Sequence, residues 1–158
     1  MSTPVVENIA LALFDLIDAI TVANGFNQDL SAHRPKRIFM DDDLNTDKNA
    51  FLLQGEGRVV VDASEVAHWV EGFVIQVLVI DSDDSTTAID SRMNQISADI
   101  QKQLKRNDNW KLSGYSQGID ILKTERVIEI VNDSPQSFIE ISIDVHTEFL
   151  SADPYNFG

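Results

Sequence analysis

The chain has 158 residues, 43% of them apolar, with 26 Asp and Glu against 12 Lys and Arg, a formal net charge of -14. That balance argues against tight binding to nucleic acid or to an anionic membrane, because both require Lys and Arg to neutralise phosphate. The lack of cysteine excludes disulfides and thiolate zinc sites, and the length suits a single domain over 1–158 that can bury its own core.

Val5 to Asn24 reads as the first helix, with Val6, Ile9, Leu13, Leu16 or Ile17, and Ile20 recurring at three and four. Thr3-Pro4 can open it and Asn24-Gly25 can close it, since Pro suits the first helical position and Gly the left-handed residue beyond the end. Glu7, Asp15 and Asp18 interrupt its apolar run, so an amphipathic helix is expected and not a signal segment. Phe26 to Ala32 is a polar connector, and Pro35 to Met40 a candidate short strand. Asp41 to Asn49 reads as an exposed acidic loop. Ala50 to Gln54 and Arg58 to Asp62 read as short strands turning at Gly55-Glu56-Gly57.

Val70 to Ile80 is the strongest strand signal. Phe73, Ile75, Val77 and Val79 form one face and Val74, Leu78 and Ile80 the other, which predicts a central strand. Its apolar run, Phe73 to Ile80, is too short for a membrane span, which takes about 20 residues. Ser85 to Arg106 is the second helix, with Ile89, Met93, Ile96, Ile100 and Leu104 on one stripe. Lys102, Lys105 and Arg106 close it, where cations complement the helix dipole. Two strands follow, Ile119 to Val131 and Phe138 to Phe149, joined by Asn132-Asp133-Ser134-Pro135. The second would span roughly 40 Å at about 3.4 Å per residue. The order predicts an α+β domain, with two main helices packed on a mainly antiparallel β-sheet that ends in a long C-terminal hairpin. Residues 151–158 are expected to run as an extended tail on the surface, because Asp153-Pro154 disfavours helix.

No residue pattern points to catalysis, so the chain is not expected to be an enzyme or to carry a cofactor. His33, His68 and His146 are scattered and form no metal-ligand pair. Asp41-Asp42-Asp43 and Asp81-Ser82-Asp83-Asp84 are rich in oxygen ligands but lack the spacing, Gly turn and distal Glu of a calcium loop. Ser113-Gly114 and Ser116-Gln117-Gly118 are not nucleophile elbows. Gly55-Glu56-Gly57 is too short for a dinucleotide loop. The basic run His33-Arg34-Pro35-Lys36-Arg37 reads first as a solvated loop, next as a contact to an acidic surface of a neighbouring subunit through Arg34, Lys36 and Arg37, and last as a nucleic-acid contact. Trp69 reads as core or subunit interface.

The hairpin carries the one pattern that asks for more than solvation. Pairing Ile130 with Ile139 unites the apolar faces and sets Glu129 opposite Glu140 and Glu125 opposite Asp144. Like charges directly opposite one another destabilise a sheet. Solvation tolerates such a face, and a surface that must repel polyanions would select it.

The helix Asn8-Ile9-Ala10-Leu11-Ala12-Leu13, the basic His33-Arg34-Pro35-Lys36-Arg37, Leu53-Gln54-Gly55-Glu56 and the apolar strand from Trp69 follow one another in order. Helix Ile89-Asp90-Ser91-Arg92-Met93-Asn94-Gln95-Ile96 and the closing Val145-His146-Thr147-Glu148 and Asp153-Pro154-Tyr155 complete the series. In order and spacing, over most of its length, the chain resembles the tail terminator (tail completion) proteins of long-tailed bacteriophages. It departs from them at His146-Thr147-Glu148, where the family pattern is more basic and contains Arg.

The resemblance implies a homo-oligomer, a hexameric ring at the end of the tail tube, assembled in the host cytoplasm and carried in the virion. Such a ring stops tube polymerisation, joins the tail tube protein to the head–tail connector or stopper protein, and lets DNA pass without specific binding or membrane contact. Subunit or tube contacts are then expected at Arg34, Lys36, Arg37, Trp69 and Tyr155. Acidic channel-lining residues are expected among Asp41, Asp42, Asp43, Glu125, Glu129, Glu140 and Asp144. Three other readings stay open: a head completion or stopper protein of the neck, a small-molecule-binding enzyme, and a non-viral acidic binding module.

Overall fold

A computed structural model describes residues 2–35, 47–63, 65–80, 88–131 and 134–157. Helix α1 spans Val5–Asp18 and buries Val5, Ile9, Ala10, Leu13 and Ile17 on one stripe. It stops earlier than its apolar periodicity predicts. Ile20-Thr21-Val22 is β-branched throughout, a poor continuation for a helix. Asp29 also takes the Val22 amide as a donor at 2.7 Å, and a short 3₁₀ turn at Val22–Asn24 follows. Gly25 closes that turn at φ +87°, the left-handed conformation expected of it.

Strand β1, Ser31–His33, lies in the stretch that the sequence suggests is a connector. The proposed strand Pro35 to Met40 lies, beyond Pro35, outside the described residues. Strand β2 is continuous over Asn49–Ala63 and does not turn at Gly55-Glu56-Gly57. Those residues form an irregularity within the strand, where the register against β3 shifts between Gln54 and Gly57. Glycine is required at position 57, because a Cβ there would stand 2.5 Å from the Trp69 ring and closer still to the Glu71 carboxylate. β2 leads into β3, Val66–Val79.

Helix α2, Ile89–Lys105, buries Met93, Ile96, Ile100 and Leu104 as the sequence stripe predicts, and a 3₁₀ helix at Asn109–Gly114 follows. β4, Gly118–Val131, and β5, Ser134–Leu150, form the long hairpin, and β6, Asp153–Phe157, returns onto β5.

The strand order is β1-β2-β3-β5-β4, with β6 pairing β5. β1 joins β2 in parallel, and every other pairing is antiparallel. The expectation of an α+β domain is corrected by this architecture: among the described residues the fold is mostly β, a curled mixed sheet with α1, α2 and the shorter 3₁₀ segments beside it. The strands run longer than their apolar cores suggest, because pairing continues through polar residues at both hairpin ends. Bulges between Gln54 and Gly57, Val59 and Val61, and Ile121 and Lys123 bend the outer strands.

The hairpin register also differs from the expected one. The connection is two residues long, so Val131 pairs Ser134 and Ile128 pairs Ser137, and neither Ile128 nor Ile130 pairs an isoleucine of β5. The pairing of Val131 with Ser134 overrides the apolar pattern near the hairpin end.

β3 and β5 are the central strands, and their odd-numbered residues face the helices. Phe73, Ile75 and Val77 stand opposite Ile143, Ile141 and Ile139, and all six are buried. Each such side chain contributes roughly 1.5–3 kcal/mol by leaving water. Asp99 of α2 is buried and accepts hydrogen bonds from the Asn27 backbone N–H at 3.0 Å, Asn27 Nδ2 at 2.9 Å and Gln28 Nε2 at 3.0 Å. It fastens the connector after α1 to α2.

Candidate functional site: an acidic sheet face

The alternation that buries the odd residues of β5 turns Glu140, Asp144 and Glu148 to the opposite face. Antiparallel pairing then brings two carboxylates of β4 beside them, with Glu125 opposite Glu140 and Asp120 opposite Asp144. Five carboxylates thus share one side of the hairpin. The like-charge pairing expected from the sequence is present, but between other partners: Glu129 pairs Gln136, and Asp144 meets Asp120 instead of Glu125.

Neighbouring groups offset part of the repulsion. Arg58 Nη2 lies 3.4 Å from Asp144 Oδ2, and Lys123 pairs with Glu125. His146 Nε2 lies 2.7 Å from Asp120 Oδ2, and His68 Nδ1 lies 2.7 Å from Glu148 Oε1. Gln76 Nε2 donates to Glu140 at 3.2 Å. Exposed ion pairs of this kind are worth about 0–1 kcal/mol each. Five carboxylates against Arg58 and Lys123 leave the surface at a formal net charge of -3 with the histidines neutral. Beside it an open groove of about 230 Å³ is lined by Val60, Val61, His68, Val70 and His146 among others. Its two imidazoles are already engaged by carboxylates, so the groove offers little free polar chemistry.

The other expected site residues serve separate parts of the fold. Arg34 forms a two-point ion pair with Glu7 of α1, at 2.6 and 3.2 Å, and ties the chain after β1 to the first helical turn. Trp69 is half-buried, packs against Phe149 at 5.7 Å between ring centroids, and donates its indole N–H to Glu71 at 2.6 Å. Gln54 donates to the other oxygen of Glu71 at 2.9 Å, so this buried carboxylate is held from two sides. Tyr155 is exposed on β6. Lys36, Arg37, Asp41, Asp42, Asp43 and Asp81 to Asp84 lie outside the described residues, as does the side chain of Glu129.

The sequence pattern on β5 points to Glu140, Asp144 and Glu148. It does not point to Asp120, Arg58 or Lys123, which reach this face only through the cross-strand register. The last turns of α2 also bring two cations together beside Phe26. Lys102 Nζ and the Arg106 guanidinium lie 5.0 and 4.7 Å from the Phe26 ring centroid, and Lys102 donates to the Gly25 carbonyl at 3.1 Å. These cations hold the connector after α1.

Among the described residues no three His, Asp or Glu are placed to hold a metal ion, and no helix is long and apolar enough to cross a membrane. Compared with known proteins, the chain matches no family model and no curated protein.

Proposed function

We propose that this chain is a structural virion protein that forms a ring at the end of a phage tail tube. The ring ends tube polymerisation and joins the tail to the head–tail connector while DNA passes through. The observation that carries this reading is the gathering of Asp120, Glu125, Glu140, Asp144 and Glu148 on one side of a sheet whose other side packs the helices. DNA is a dense polyanion, and every Lys or Arg that meets it gains by counterion release. A conduit has to avoid that gain, and a carboxylate wall with its few cations already paired does so. The resemblance to tail terminators supplies the tube end as the place where such a wall is useful.

The direct test adds the purified chain to polymerising tail tube protein and follows tube length by electron microscopy. Rings at one tube end and arrested growth are expected. A chain that stays monomeric at every salt concentration and leaves tube growth unchanged would overturn the proposal.

A further inference from the structure

We propose that the outer edge of β2, residues 52–63, pairs antiparallel with the outer edge of β4, residues 118–131, of a second copy of this chain. The inference rests on the ring reading and specifies the contact that closes the ring. Among the described residues neither edge has a strand partner. β1 covers β2 only from Asn49 to Phe51, and β4 is the last strand on its side, with β6 pairing β5 beyond it. An open edge is a row of unpaired N–H and C=O groups, and monomeric proteins usually guard it with Lys, Pro or charge. The stretch 52–63 contains neither Lys nor Pro, and its charges Glu56, Arg58 and Asp62 lie on either side of an uncharged Val59-Val60-Val61 run. Instead it exposes Val59, Val60 and Val61 at 51, 58 and 51%. β4 exposes Leu122 and Ile128 at 58 and 62%.

Strand direction selects this pairing. β2 and β5 run one way and β3 and β4 the other. Setting β4 of one copy against β2 of the next therefore continues the sheet antiparallel without turning it over. All helices stay on one side of the resulting band and all acidic faces on the other. The contact is head-to-tail, the type that closes into rings when the rotation allows. A β2–β2 contact would instead be two-fold and would leave β4 open.

Charge permits the same arrangement. Residues 52–63 carry Glu56 and Asp62 against Arg58, and residues 118–131 carry Asp120, Glu125 and Glu129 against Lys123 and Arg126. Each edge is thus net -1 in a chain of -14, so the carboxylate surplus lies mostly elsewhere and the edges can approach.

The lack of native cysteine makes the test clean. Leu122→Cys is prepared as one variant, and Leu53→Cys and Val60→Cys as two others. Leu53 stands near the level of Leu122 across the sheet, and Val60 covers the stagger that strand tilt introduces in a closed sheet. Assembled mixtures of the Leu122 variant with each β2 variant are treated with a bismaleimide long enough to join neighbouring paired strands. The expected product is a covalent dimer in at least one mixture and none from any variant alone. The doubly substituted chain should give a ladder ending at the ring number. Val60→Lys, which places a guard charge on the open edge, should shift assembled protein toward monomer while its circular dichroism stays unchanged. Rings that yield only same-site dimers, or no cross-link in either mixture, would overturn the edge pairing and leave the ring reading standing. Monomer under every condition and no binding to tube ends would overturn both.

Discussion

Glu125 on β4 stands directly opposite Glu140 on β5, and along the same hairpin Asp120 stands opposite Asp144. Like charges in such positions cost the sheet about 0.2–1 kcal/mol per pair. Glu140→Gln should therefore raise stability by about that amount. The gain should shrink as salt screens the repulsion. Thermal unfolding at low and high salt measures it, and a lower midpoint at both would show that Lys123 and Gln76 already cancel the repulsion.

Reversing the same face tests its purpose. If the chain forms the proposed ring, Glu140→Lys together with Asp144→Lys should leave rings and particles assembled, because neither residue belongs to the buried core. DNA delivery should slow, most at low ionic strength, since each new cation gains by counterion release. Ejection kinetics from complemented particles would report this, and unchanged rates would remove the hairpin from the channel wall.

Asp99 is buried and anchors three donors, one from the buried Gln28 and two from the exposed Asn27. Asp99→Ala leaves them without their partner; the buried Gln28 amide then costs about 1–3 kcal/mol, while the exposed Asn27 donors can turn to water. A clear fall in the urea midpoint is expected with little change in secondary structure. A midpoint within error of the parent chain would mean that the connector over residues 25–28 is held by the cations over Phe26 alone.

Gly57→Ala places a methyl group against Trp69 and Glu71. Overpacking of this kind costs about 1–3 kcal/mol. The expected signature is a lower unfolding midpoint with altered Trp69 emission, because the indole must shift from Glu71. Unaltered emission and stability would show that β2 relaxes freely at its bulge.

Residues 151–157 form a turn and then β6, whose pairing with β5 is confined to Phe149 and Leu150. Removing them should lower the thermal midpoint only slightly and impair assembly more than folding. Unimpaired assembly measured by sedimentation would assign the segment to its own sheet alone.

The helical stripes and the core were legible because burial imposes a period. Ile9, Leu13 and Ile17, then Met93, Ile96, Ile100 and Leu104, repeat as helices do, and Phe73 to Val79 is apolar on both faces as a central strand is. What escaped depended on backbone geometry. Gly55-Glu56-Gly57 has turn chemistry, yet it serves as a bulge because Trp69 and Glu71 occupy the space beside it. β1 is only three residues long and owes its extended form to β2, so no local pattern marks it. The acidic face was half visible. β5 shows its carboxylates by alternation, whereas Asp120 and Arg58 are placed by cross-strand register and bulges that no periodicity encodes.

The pairing of β3 with β5 joins residues 66–79 to residues 137–150. During synthesis the most apolar strand of the chain thus leaves the ribosome well before the strand that will cover its flank. Until β5 arrives, Phe73, Ile75 and Val77 have β2 on one side and an open backbone edge on the other. Non-local pairing of this kind folds slowly and exposes sticky surface meanwhile. Residues 1–84 carry 15 Asp and Glu against 5 Lys and Arg, and like-charged nascent chains repel one another, so the charge surplus also guards the chain while it is still incomplete.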